Sequence, residues 1–209
     1  MSIILIIKRL FIFYLCEYNI GERLSDREEK DIKKLKEELI HALKNRGCIK
    51  FGDFILSSGK RSNYYIDIKR AITDPRILKT IAKMISNYID EELKNENLKI
   101  GGIELGSVPI ATAVSLETEK ELIIIRKKSK DYGTKSKIEG DLKEGDMVIL
   151  VEDVTTTGGN VIKAVEEIRS MGGVVDRVFV VVDRGEEAKD NLEKIGVKLI
   201  PLITVDELM

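Results

Sequence analysis

The 209-residue sequence predicts an α/β protein, a doubly wound parallel sheet with a small N-terminal helix-plus-hairpin hood. Three observations carry that expectation. Between residues 100 and 203, apolar runs alternate with segments of helical periodicity, the order that builds a parallel sheet covered on both faces. The runs are continuous and rich in β-branched residues rather than alternating, as in Val148, Ile149, Leu150 and Val151, which marks strands buried on both sides. That run passes through two acids, three threonines and two glycines into a helical pattern at Val161, Ile162, Val165 and Ile168. A strand fed through such a turn into a helix N-terminus is the geometry of an anion site at the edge of an open sheet.

Residues 3–15 are mostly apolar but carry Lys8 and Arg9 inside the run. The stretch is too short to span a bilayer, which needs about 20 apolar residues. No small-residue cleavage site follows it, so it does not read as a signal peptide. Residues 1–24 are therefore expected to lie outside the fold, as a start site placed too early or an amphipathic segment that docks elsewhere. A single domain is expected over residues 25–209, with the hood at about 25–70 and the core at about 71–209.

Ile32, Leu35, Leu39, Ala42 and Leu43 recur at helical spacing up to Gly47, which predicts a packing helix. Two short strands follow between Cys48 and Asp67, around a hairpin turn at Ser58-Gly59-Lys60-Arg61. Asp74-Pro75 opens a helix to about Leu93, and a strand then runs from Ile100 toward Glu104. The turn through Gly106, Ser107 and Pro109 enters a helix containing Ala111 and Val114. Leu122 to Ile125 form the next buried strand. It leads into Arg126, Lys127, Lys128 and Lys130 and a glycine-containing loop that reaches Gly140. A basic run is ordinarily a solvated face. This one leaves the carboxyl end of a strand, where open α/β sheets place ligands, and is long enough to serve as a lid. Glu152 and Asp153 stand where the next strand should end. Gly172-Gly173 closes the following helix, a strand runs from Val174 to Asp183, and Arg184 comes just past its end. A helix over residues 186–195 and a strand over 197–203 complete the chain, with Pro201 placing that strand at an edge.

Lysine and arginine number 35 against 36 aspartates and glutamates, so the charge balance gives no reason to expect nucleic acid as a partner. Cys16 and Cys48 lack metal-ligand spacing, and His41 is the single histidine, on a helical face. A reducing cytoplasm fits this cysteine usage.

The turn chemistry narrows the ligand. Helix-start amides and the hydroxyls of Thr155, Thr156 and Thr157 donate to a phosphate, and Gly158 and Gly159 let the backbone close on it. No Gly-Lys-Ser/Thr ends the loop and no G-x-G-x-x-G spacing is present, so the common nucleotide loops are excluded here. Two carboxylates beside a phosphate site repel the phosphate itself but can hold sugar hydroxyls or a hydrated divalent cation. A ribose phosphate is the ligand these groups suit.

The segment VILVEDVTTTGG resembles the phosphoribosyl diphosphate signature of type I phosphoribosyltransferases, and its detailed form is most similar to orotate phosphoribosyltransferase. KFGDFILSSGKRSNYYID resembles that family's N-terminal substrate segment, and RKKSKDYGTKSKIEG its mobile catalytic loop. The resemblance runs from about Lys33 to the C-terminus. It implies Mg2+-dependent transfer of a phosphoribosyl group from 5-phosphoribosyl 1-diphosphate to orotate, with release of pyrophosphate, in pyrimidine (UMP) biosynthesis. It also implies roles for residues. Thr155, Thr156, Thr157, Gly158, Gly159 and Asn160 hold the 5′-phosphate, Val154 belongs with them to the donor site, and Glu152 and Asp153 hold ribose hydroxyls with the metal close by. Arg126, Lys127 and Lys130 neutralise pyrophosphate, Lys50 reaches the donor, and Thr156 and Arg184 address orotate. The lid acts on the neighbouring subunit's site, which implies a homodimer.

Two departures matter. Gly106 stands where some bacterial relatives carry a lysine in the pyrophosphate loop, and Tyr132 where many carry a histidine. Two other readings compete: a purine phosphoribosyltransferase, which leaves Arg184 without a carboxylate to bind, and a phosphoribosyl-diphosphate-sensing regulator. A regulator would need a second N-terminal helix at DNA-binding spacing, and the sequence offers one packing helix there.

Overall fold

The computed structural model describes residues 26–55, 59–89, 96–128, 136–185 and 187–209. Helix α1 spans Asp26–Asn45, and strands β1, Ile49–Ile55, and β2, Arg61–Ile66, pair antiparallel as the expected hairpin. A short helix α2, Ile68–Ala71, then precedes α3, Pro75–Tyr88. The core continues through β3 (Leu98–Ile103), α4 (Ser107–Thr118), β4 (Glu121–Ile125), β5 (Ile138–Glu139), β6 (Met147–Thr155) and α5 (Gly159–Ser170). It closes with β7 (Arg177–Asp183), α6 (Ala188–Glu193), β8 (Lys198–Thr204) and α7 (Val205–Leu208).

The six core strands lie in the order β5-β4-β3-β6-β7-β8. All neighbours are parallel except β5 against β4. The expected parallel sheet therefore gains a two-residue antiparallel edge, made where the long loop after β4 returns and Arg126 N donates to Lys137 O at 2.7 Å. The chain leaves β3 for β4 on one side and later enters β6 on the other. This is a topological switch point, with the signature strand at it, as the sequence predicts.

Alternation along the buried strands divides the core between the two faces. Val148, Leu150, Val178 and Val180 join Val161, Val165 and Ile168 of α5 in one apolar cluster with Ala188 and Leu192 of α6. On the other face α3 packs on α4 and α4 on β3, and the Tyr88 and Phe179 rings meet with centroids 5.9 Å apart. Pro201 does lie in an edge strand, β8. The helix expected to reach about Leu93 is assigned as far as Tyr88, and residues 90–95 lie outside the described residues. The β7 ladder starts at Arg177 rather than Val174, because Val174 makes only an isolated bridge to Met147. The helix expected over 186–195 is the shorter α6.

Asp74 caps α3 as predicted, accepting from Arg76 N at 2.9 Å. The Arg76 and Arg46 guanidinium groups also bond its carboxylate and hold its pKa well below the usual range, which ties the end of α1 to the start of α3. The compact body runs from Leu35 to Met209. Residues 1–24, expected to be an extension, fall outside the described residues. Among the described residues no helix is long and apolar enough to cross a membrane.

Candidate active site

The site forms because two neighbouring strands end at different heights. β3 pairs with β6 only as far as Gly102 and Val151, whereas β7 continues beside β6 through Glu152↔Val180, Val154↔Val182 and Thr155↔Asp183. Glu152 and Asp153, expected where the strand ends, therefore lie inside β6, which runs on to Thr155 because of this longer neighbour. On the β3 side the sheet opens into a cavity of about 490 Å³. Its lining includes residues 152–161, Lys127, Arg184, Tyr65, Ile66 and Lys69, together with Glu104, Leu105 and Gly106.

The phosphate turn takes the expected form. Gly158 adopts φ 76°, a left-handed conformation that side chains disfavour, and α5 begins at Gly159. The first intrahelical bond runs from Ile162 N to Gly158 O, so the amides of Gly159, Asn160 and Val161 have no acceptor within the helix. The turn's carbonyls are bonded from behind instead. Arg184 N donates to Thr155 O, Ala188 N to Thr156 O (both 3.1 Å), and Asn191 Nδ2 to Thr157 O at 3.1 Å. With the acceptors held this way, the wall formed by residues 155–160 is a donor surface suited to an anion.

At the acidic pair, Asp153 N donates to Glu152 Oε1 at 3.0 Å and Val154 N to Asp153 Oδ1 at 2.9 Å. Glu152 is buried, and its pKa is raised well above the usual carboxyl value, first by burial and then by the charge of Asp153, with Lys127 opposing. Across the cavity, Ser107 Oγ accepts from Ile103 N at 2.8 Å and donates to Ile103 O at 2.5 Å, closing the β3 to α4 turn. The Glu104-Leu105 peptide in that turn is cis. A Cβ on Gly106 would lie 2.0 Å from Asp153 Oδ2. The Asp153 carboxylate thus occupies the space a side chain at position 106 would enter, where the sequence reading noted a missing lysine, and such a side chain would have to push that carboxylate aside.

The remaining predicted residues separate into groups. Lys127 lines the cavity, and its backbone N donates to Glu104 Oε2 at 3.0 Å, which ties the start of the long loop to the turn after β3. Arg126 turns to Glu139, 3.4 Å away, and is not part of the lining. Lys130 and Tyr132 lie outside the described residues. Lys50 bonds Asp67 at 2.8 Å and does not line the cavity, because this nearer carboxylate within the hood takes its charge.

Arg184 is buried at the cavity wall. Its Nη2 donates to Ser62 Oγ at 3.0 Å and its Cζ sits 4.2 Å from the centre of the Tyr64 ring, so the hood hairpin fixes the guanidinium from two directions. Sequence reasoning missed Ser62, Tyr64 and Lys69 as site residues. Ser62 and Tyr64 fell within the segment read as the hood, while Lys69 carries no periodic or motif signal.

A family model described as phosphoribosyl transferase domain matches residues 69–207. Orotate phosphoribosyltransferase of Methanocaldococcus jannaschii is 65% identical over 173 residues, covering 83% of this chain and 96% of that protein. The enzyme of the same name from Pyrococcus horikoshii is 58% identical over 175 residues, 84% of this chain and 94% of that protein. The crystal structure of orotate phosphoribosyltransferase from Aeropyrum pernix superposes with a TM-score of 0.70 at 34% identity, covering 81% of this chain and 96% of that one. A switch-point sheet with a donor turn facing an acidic pair is the architecture of a phosphoribosyltransferase. The chain belongs to that family and, within it, groups with the orotate phosphoribosyltransferases.

The state of Glu152 gives a pH test. The folded protein holds the Glu152 proton more tightly than the unfolded chain does, so this contribution to stability is full below the ordinary value of 4.5 and is lost as pH rises. Glu152→Gln keeps the shape and cannot ionise. In thermal melts from about pH 5 to about pH 8, the stability of the variant relative to the native chain should rise steadily. A constant difference would mean that Glu152 ionises like an ordinary surface carboxyl.

Proposed function

We propose that the chain transfers the phosphoribosyl group of 5-phosphoribosyl 1-diphosphate to orotate, giving orotidine 5′-phosphate and pyrophosphate. The observation that carries the choice of base is Arg184, a buried guanidinium at the cavity wall that is held in place by Ser62 and Tyr64. A fixed guanidinium pairs well with a planar carboxylate, and orotate supplies one. A purine base does not. The relatives that carry the orotate name support the same reading.

In this mechanism the donor's 5′-phosphate sits on the amides and hydroxyls of Thr155, Thr156, Thr157, Gly158, Gly159 and Asn160, with Val154 beside them in the donor site. Glu152 and Asp153 hold the ribose hydroxyls. The C1′–oxygen bond to the diphosphate breaks as the ring nitrogen of orotate bonds to C1′ and gives up its proton, which the departing pyrophosphate can accept, and no protein nucleophile takes part. Thr156 and Arg184 orient the base, which lowers the barrier by placing the attacking atom. Lys127, with Arg126 and Lys130 from the loop, meets the charge that grows on pyrophosphate. Such cations act most strongly in the transition state.

The donor set suits a divalent cation carried in by the diphosphate. Among the described residues no three acidic, histidine or cysteine side chains gather at one point, while Asp153 faces the cavity and can add an oxygen. When bound there, Mg2+ supplies partial neutralisation of the leaving group.

Mixing orotate, 5-phosphoribosyl 1-diphosphate and Mg2+ with the pure protein should change the absorbance of the base. The kcat/KM for orotate should exceed that for uracil by about four orders of magnitude, because uracil offers the guanidinium no carboxylate. Comparable rates with uracil or hypoxanthine would overturn the assignment of the base.

The reading includes a homodimer whose loops close on each other's sites. Lys130→Ala and Arg184→Ala homodimers should each be nearly inactive. Random reassortment makes about half of the dimers mixed, and each mixed dimer then has one site free of both lesions, so activity should return to roughly a quarter of the native level. No recovery, with subunit exchange shown independently, would mean that each loop closes on its own site.

A further inference from the structure

We infer that Lys69 is a donor-binding residue that supplies, from the hood side, the cation the turn after β3 cannot carry, and that it acts on the diphosphate of the donor. The inference rests on the phosphoribosyl-transfer reading and names a residue for its leaving-group end.

Asp153 Oδ2 is the common landmark. On one side it lies 2.0 Å from the point a Gly106 Cβ would occupy, so a lysine at position 106 would displace the acid that the ribose needs. On the other side Lys69 Nζ lies 3.6 Å from the same oxygen. The ammonium group therefore arrives beside the 104–106 turn from α2 without any side chain on the turn itself. The Lys69 side chain is 56% exposed and lines the cavity, so it is free to shift by a few ångströms onto an incoming anion.

The charge balance of the cavity calls for such a group. Glu104 and Asp153 both line the wall that the diphosphate must approach, and like charges in a partly enclosed site repel. Lys127 faces Glu152, and Arg184 is held by Ser62 and Tyr64 for the base. Lys69 is the lysine that faces Asp153. In the absence of donor it neutralises this acid. With donor bound, Asp153 turns its charge to the ribose hydroxyls, and the ammonium bonds the diphosphate oxygens, where negative charge builds as the C1′–oxygen bond breaks.

Calorimetric titrations of the full chain with two fragments of the donor, each in the presence of Mg2+, test this. Lys69→Gln should weaken binding of inorganic pyrophosphate by roughly tenfold or more and leave binding of ribose 5-phosphate unchanged. Lys69→Arg, which keeps the charge, should retain most of the pyrophosphate affinity. The inference is overturned if the Gln variant binds pyrophosphate as the native chain does, or if both fragments weaken equally. Equal weakening would mean that Lys69 merely positions Asp153. Orotate turnover by the native chain is measured alongside. Its absence would remove the orotate reading, whereas native turnover with unaltered pyrophosphate binding in the Gln variant would remove only the role of Lys69.

Discussion

The Asp153 carboxylate and Gly106 share one small volume at the switch point, and the site depends on that close fit. β3 stops at Ile103 and turns away through a loop closed by Ser107, while β6 is carried onward by β7 to Thr155. The overhanging end of β6 would expose its backbone and acids to solvent if the 104–106 turn did not fold against it. Because that turn carries glycine where the two meet, the acid comes into the cavity wall with Asp153 Oδ2 directed to the site and Oδ1 held by Val154 N. The threonine-glycine turn, the acidic pair and the 104–106 turn are thus brought together around one cavity by one difference in strand length.

Electrostatics then decides what the cavity can hold. Two adjacent acids, one buried, cannot both be fully charged without cost, and burial together with the Asp153 charge raises the pKa of Glu152. The pair offers one strong negative centre and one group that keeps its proton to higher pH, a combination matched to two sugar hydroxyls better than to a bare anion. Cations reach the cavity from separate elements: Lys127 from the loop after β4, Lys69 from α2 and Arg184 from the end of β7. Spreading them places positive charge at three separate points of the cavity wall. The hood is part of this arrangement, since Ser62 and Tyr64 fix Arg184 from a hairpin 122 residues away in sequence.

What the sequence revealed and what it hid follow from the range of the interactions. The Val148 to Val151 run, the threonine-glycine turn and the α5 periodicity are local, so the strand, turn and helix start were legible residue by residue. The alternation of strands and helices specified the sheet, and Pro201 its edge. Arg184 was legible from its place after a strand, but not its partners, which only the folded hairpin brings near. The ion pair of Lys50 with Asp67 is set by the hairpin register and leaves no local trace in the sequence. Lys69 was invisible, since a lysine in a four-residue helix has no pattern to distinguish it from a solvated one. Gly106 was read as a missing cation, and its closeness to the Asp153 carboxylate is a contact that only the folded chain shows. The two-residue β5 and the short helices α2 and α7 lie below the length at which periodicity can be recognised.

The central claim is that the charge of Asp153, seated against Gly106, is what the switch-point geometry exists to present. Asp153→Asn keeps the size and the oxygen that accepts from Val154 N, and removes only that charge. The decisive measurement is the steady-state rate of the purified variant with orotate and 5-phosphoribosyl 1-diphosphate, beside its melting temperature. The expected result is a melting temperature close to that of the native chain with turnover lower by about two orders of magnitude or more. Native-level turnover in a variant that folds normally would contradict the account and leave the acidic pair a packing feature of the sheet.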